Sequence, residues 1–202
     1  MNYSICVSGA ASGDTVTGAH SLAERLGAAI AASGHIITTG ATVGLPLYAA
    51  KVAHAAGGKS IGFSPAASLR EHVNKYRLPI GFYDFINFTG MHYVGRDVFL
   101  VQSSDAVITV GGRFGSLHEF TTALESRMPC GVLLGSGGAA DLIPELMKKL
   151  QAPNEKLVIF DENPERLVAR VIELLDQEMG DINTKAIEHE WFIRSDNGKH
   201  SG

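Results

Sequence analysis

Hydrophobic positions along this chain fall into two patterns that take turns. Short apolar runs, many of them rich in β-branched residues, recur at Ser4–Ser8, Ile36–Thr39, Lys59–Phe63, Phe85–Phe88, Ala106–Val110, Cys130–Leu134 and Leu157–Phe160. Runs of this length predict strands, and those with little polar alternation predict strands buried on both faces. Between them, apolar residues return at helical spacing, as in Leu22, Leu26, Ala29 and Ile30, or Leu167, Val171, Leu174 and Leu175. Further helices are predicted from Leu45 to about Ala56, over Met91–Ser103, from Gly115 through Leu124, and from about Asp141 to Leu150. Pro46 falls in a first turn, where it forfeits no hydrogen bond. In Met91–Ser103 the spacing predicts Val94, Val98 and Val101 inward, with Tyr93, Arg96 and Leu100 on a neighbouring stripe. Residues 66–84 follow neither period and read as a polar crossover rather than a lid over a substrate.

Repeated β-α order predicts an α/β fold, a single-domain Rossmann-like doubly wound parallel sheet flanked by helices, with right-handed crossovers. That domain is expected over residues 1–180. Residues 181–202, where Trp191, Phe192 and Ile193 sit among charged side chains, are expected to form a partly disordered C-terminal tail. Ligands of such sheets bind at the carboxyl ends of the strands. Three glycine-rich loops, at 8–14, 40–44 and 111–116, each follow a strand and so share that edge. A fourth, Gly135–Gly138, ranks below them.

The stretch Asp105–Glu119 carries the sharpest signal. A buried strand runs through Gly111-Gly112 into a helix N-terminus, where free N–H groups and the helix dipole favour an anion. Glu119 then lies one turn into that helix. Two readings stay open at this point: Ser116-x-x-Glu119 is a capping box, or Glu119 is a carboxylate with chemistry to perform.

Composition narrows the partners. The chain of 202 residues is 45% hydrophobic and 19% charged with a net charge of −4, which marks no nucleic-acid surface. No apolar run approaches the ~18 residues of a membrane span, and Cys6 and Cys130, both in predicted strands, fit a reducing cytoplasm. The eight histidines are scattered, with no HxxxH, HxH or Cys-x-x-Cys, so no metal site is expected. Neither a Gly-x-Ser-x-Gly elbow nor a P-loop is present.

The segment Gly111-Gly112-Arg113-Phe114-Gly115-Ser116-Leu117-His118-Glu119 resembles the Pro-Gly-Gly-x-Gly-Thr-x-x-Glu motif of the Lonely Guy (LOG) proteins. These are cytokinin riboside 5′-monophosphate phosphoribohydrolases, in a wider group often mislabelled lysine decarboxylases. Met91-His92…Arg96 is similar to the family's Met-His…Arg helix, and Gly40-Ala41-Thr42-Val43-Gly44-Leu45-Pro46 to its Gly-Gly-x-x-Gly-Leu-Met turn. Cys6-Val7-Ser8-Gly9 with Ser12-Gly13 resembles its opening strand and loop, so the likeness runs from about residue 4 to 175. Departures are equally specific. Gly111 stands for the family's proline, Arg113 for its second glycine and Asp97 for a lysine. Met91-His92 lies two residues farther from Arg96 than in the family.

The resemblance implies a nucleoside 5′-monophosphate phosphoribohydrolase with Glu119 and Arg96 catalytic. Ser8, Gly9, Gly40, Thr42, Gly44, Gly111, Gly112, Arg113, Phe114, Gly115 and Ser116 would then bind substrate or phosphate. It implies a small nucleotide ligand, no cofactor, no pyridoxal phosphate, and a homodimer or higher homo-oligomer with the site near the subunit contact. The departures at Arg113 and Asp97 motivate an alternative of the same fold, a non-catalytic carrier or sensor of a nucleotide or molybdenum cofactor. Single-stranded DNA binding, as in related DNA-processing proteins, is disfavoured by the acidic balance.

Overall fold

The strand Ala106–Val110 (β5) has every residue buried and sits near the middle of the sheet. In the computed structural model, which describes residues 2–180, it pairs in parallel with Ser4–Gly9 (β1) on one side and Cys130–Leu133 (β6) on the other. Ile36–Thr39 (β2), Lys59–Ser64 (β3) and Phe85–Phe88 (β4) extend the sheet beyond β1, and Val158–Asp161 (β7) closes the far edge beyond β6. The seven strands run parallel in the order β4-β3-β2-β1-β5-β6-β7. The chain lays down one half outward from β1, then returns to start the other half at β5. That reversal opens a crevice at the carboxyl ends of β1 and β5, where Gly9 pairs with Val110.

Alternation along the strands sorts the core into two layers. Ile5 and Val7 of β1, with Ile108 and Val110 of β5, face helices Asp14–Ala32 (α1), Leu45–Ala55 (α2) and Pro164–Met179 (α7). Cys6 and Val107 point the other way, toward His92–Gln102 (α4), Phe114–Glu125 (α5) and Gly138–Leu150 (α6). Both layers are predominantly apolar, and each fully buried Ile or Leu contributes about 1.5–3 kcal/mol. Cys6 and Cys130 are buried free thiols, and burial pushes the Cys130 thiol up to about 12.

The doubly wound parallel sheet agrees with the reading from periodicity. Two local expectations need correction. Within residues 66–84 a short helix, Leu69–Asn74 (α3), forms behind the Ser68 cap. His72, fully buried, ties this crossover down by bonding Ser64 Oγ at 2.7 Å and the Pro79 carbonyl at 3.0 Å. In α4, Val94 and Val98 face outward and are exposed, while Arg96, Asp97, Leu100 and Val101 are buried. The first half of α4 borders the crevice rather than the aliphatic layer, so its inward stripe is polar. The expected tail at 181–202 lies outside the described residues, and no helix among those described is long and apolar enough to cross a membrane.

Candidate functional site

The crevice is a cleft of about 250 Å³. All three glycine-rich loops contribute to it: Gly9 from the first, Gly40 and Thr42 from the second, and Arg113, Gly115 and Ser116 from the third. Arg96 of α4 and Glu119 of α5 form its buried end. Each loop delivers a helix N-terminus without a side-chain cap, with Gly13, Gly44 and Arg113 at the cap positions of α1, α2 and α5.

Glu119 is buried among polar groups but poorly compensated. The Ser8 hydroxyl donates to its Oε2, and the Arg96 guanidinium lies 4.0 Å from its Oε1. Desolvation pushes its carboxyl up to about 7; Arg96 pulls it down, neighbouring Asp97 raises it, and the Ser8 bond lowers it. The side chain thus reaches across to β1 instead of back to its own helix start. Arg113, not Ser116, occupies the N-cap position, so the capping box does not form.

Arg96 is 5% exposed, and its Nε and Nη1 have no hydrogen-bond partner. Its Nη2 lies 3.3 Å from Asp97 Oδ1, while His118 Nδ1 sits 3.1 Å from Asp97 Oδ2. Unfilled N–H groups on a buried cation, lining a cleft, suit an acceptor on a ligand. Space for that guanidinium comes from Gly40, where a Cβ would sit 1.6 Å from Nη1.

The remaining predicted residues, Ser8, Gly44, Gly111, Gly112 and Phe114, are not among those that line the cleft. Ser8 lies behind Glu119. Gly44 caps α2 and abuts the Ala10 carbonyl. Gly111 and Gly112 take φ of +57° and +94°, which let the chain turn from β5 into α5. Arg113 has a negative φ of −135°, so its backbone does not call for the glycine of the family pattern. Phe114 is 89% exposed and lines a separate apolar groove with Leu117, Leu142 and Leu146. The fourth glycine loop braces the third: Ser136 Oγ accepts from Gly111 N–H at 2.8 Å, and Ala139 N–H donates to the Gly112 carbonyl.

Asp97 and Tyr93 also line the cleft, and neither was among the predicted site residues. Asp97 leaves a trace in the sequence as an acid replacing a lysine; Tyr93 shares a helical stripe with Arg96 and nothing more. His92 stands apart, bonded to Tyr76 Oη at 2.7 Å. Among the described residues no cluster of His, Cys, Asp and Glu could hold a metal ion.

The Moco carrier protein from Chlamydomonas reinhardtii superposes with a TM-score of 0.72 at 26% identity, over 88% of this chain and 99% of that one. The molybdenum cofactor binding protein from Rippkaea orientalis gives a TM-score of 0.69 at 26% identity, over 87% and 98%. An uncharacterized protein from Archaeoglobus fulgidus is 35% identical over 104 residues, and the match spans 52% of this chain and 63% of that relative. The SLOG cluster4 family profile matches residues 2–168. This chain therefore belongs to the SLOG cluster4 family, as a divergent LOG-like member.

Proposed function

We propose that the cleft hydrolyses the N-glycosidic bond of a nucleoside 5′-monophosphate, releasing the base and ribose 5-phosphate. One observation carries this reading. Glu119 is a buried carboxylate held by Ser8 at the ligand-binding edge of the sheet, with its ionisation poised near neutrality. Breaking the C–N bond leaves positive charge on the ribose, which an ionised Glu119 stabilises while orienting the attacking water. Water supplies the oxygen bonded to the anomeric carbon and keeps one proton there as the new hydroxyl; its other proton passes through Glu119 to the departing base. The free N–H groups of Arg96 hold an acceptor on the ribose or base. The phosphate lies against the loops at 8–13 and 111–116.

Support also comes from the LOG-like motif and from intact Ser8, Arg96 and Glu119. An exposed apolar row on α4, Val94, Val98 and Phe99, lies beside Tyr93 at the cleft. It supports a homodimer with the cleft near the contact, for which Val98→Glu should yield a monomer by light scattering. We further place the protein in the cytoplasm, where two buried free thiols persist.

Likeness to the two molybdenum-cofactor proteins favours a second reading, a carrier that holds its ligand without turnover. Incubation with a panel of nucleoside 5′-monophosphates, beside Glu119→Gln, separates the two. The enzyme releases free base, and the variant loses about 10²–10³-fold of that activity. Retention of nucleotide with no release establishes the carrier, and a gel shift with single-stranded DNA at physiological salt would displace both.

A further inference from the structure

Charge is divided unevenly between the two ends of the cleft. Its charged lining residues are Arg96, Asp97, Arg113 and Glu119. Arg96 serves both carboxylates, at 3.3 Å and 4.0 Å, so the buried end has no surplus positive charge for a phosphate dianion. Its unfilled N–H groups suit a neutral acceptor better. Arg113, by contrast, makes no ion pair among the described residues. Its Nη2 donates to the Ser12 hydroxyl at 2.9 Å, linking the third glycine loop to the first at an exposed position.

We propose that Arg113 selects a phosphorylated ligand over the same ligand without its phosphate, and that Ser12 holds the guanidinium ready for it. Arg113 occupies the N-cap position of the twelve-residue helix α5, which has no side-chain cap. A phosphate set against that helix start lies within reach of the guanidinium fork, which matches two phosphate oxygens at once. A second, independent pointer to a ligand is the Arg96 side chain, which lines the same cleft and is buried with its Nε and Nη1 unpartnered. The family pattern has glycine where Arg113 stands, so this contact is an addition to the backbone cradle. Its φ is negative, so the backbone at this position asks for no glycine. Ser12 contributes order: a long side chain already held in one place loses less entropy when a ligand arrives.

This inference rests on the proposed function only for the identity of the ligand. Calorimetric titrations with ribose 5-phosphate and ribose, and with adenosine 5′-monophosphate and adenosine in the Glu119→Gln background, test it. Arg113→Gln, which keeps length and removes charge, should weaken both phosphorylated ligands by about 10- to 100-fold. It should leave ribose and adenosine unchanged. Arg113→Lys should recover part of the loss, and Ser12→Ala should cost about three- to tenfold. Ribose 5-phosphate binding that depends on Arg113, with no nucleotide binding, would support the phosphate selector and overturn the nucleotide site. Nucleotide binding within twofold of wild type in Arg113→Gln would overturn the selector and leave the nucleotide site standing. Equal losses for phosphorylated and unphosphorylated ligands, or no binding of any of them, would also overturn it.

Discussion

Asp161 and Glu119 both lie beside arginines, and they end in opposite states. Asp161, at the end of β7, receives Arg166 through two bonds of 2.6 Å, Arg170 at 3.2 Å and the Asn163 N–H at 2.9 Å. These donors, Arg166 foremost, hold its carboxyl well below the usual range. Glu119 has one hydroxyl and an arginine no closer than 4.0 Å, and burial drives it upward. Residue types are alike; the number of donors in reach differs. Arg166 and Arg170 lean in from solvent with side chains 65% and 47% exposed, free to find the best geometry. The Arg96 side chain, 6% exposed, is fixed by Gly40 behind it and shared with Asp97. A saturated carboxylate fastens a strand to a helix, whereas an undersupplied one keeps its proton chemistry for a ligand.

Glu119→Gln sharpens that contrast most, because it should cost activity and add stability. In the folded chain Glu119 keeps a proton up to about pH 7 that an unfolded chain loses near pH 4.3. Stability therefore falls as pH rises through that window, and the penalty stays in full above it. The variant should melt at a higher temperature than wild type at pH 8, with the difference shrinking toward zero at pH 4. A pH-independent difference would deny the desolvated state of this carboxylate.

Gly40→Ala attacks the other partner without touching its charge. A methyl group 1.6 Å from Arg96 Nη1 forces the guanidinium away from Glu119. Overpacking of this kind costs about 1–3 kcal/mol, and misplacing a catalytic group costs activity by at least about tenfold. Denaturant melts and base-release rates together read both losses. Unchanged kinetics would mean that Arg96 has no part in the chemistry.

Asp161→Asn is the mirror experiment. Its arginines are exposed, and solvent screening leaves the network worth about 1–2 kcal/mol at neutral pH. Because the folded carboxyl is depressed, this stability is complete above the unfolded value near pH 3.9 and fades as pH falls below it. The destabilisation measured by urea melts should be steady from pH 5 to 8 and diminish in stronger acid. Base release should not change.

How far the sequence foretold these two sites follows the range of the interactions involved. Ala106–Val110 is legible as a buried strand because its own side chains are uniformly apolar, and the crevice follows from strand order alone. Arg166 stands five residues from Asp161, within one local turn. Glu119 meets Ser8 across 111 residues, so no local pattern chooses between a helix cap and a cleft carboxylate. Val94 and Val98 mislead for a related reason. Helical spacing gives a stripe but not what faces it, and here the cleft takes the polar stripe while the valines look outward. Asp97 is legible as a departure from a family pattern, but its place between Arg96 and His118 depends on how α4 packs on α5.

The smallest effects test the same division at helix starts. α7 begins behind Asn163, whose Oδ1 accepts from the Arg166 N–H at 2.8 Å, whereas α5 begins at Arg113 with no side-chain cap. Asn163→Ala should cost about 1 kcal/mol in thermal or urea melts, the usual value of a lost cap. Ser116→Ala should cost less than about 0.5 kcal/mol, because Ser116 lies inside α5 and alanine is the better helix former. A full cap-sized loss at Ser116 would restore the capping box and return Glu119 to its own helix. A loss at Asn163 alone means that the structural end of the sheet spends its polar groups on closing its own backbone, while the cleft end leaves its helix starts for a ligand to fill.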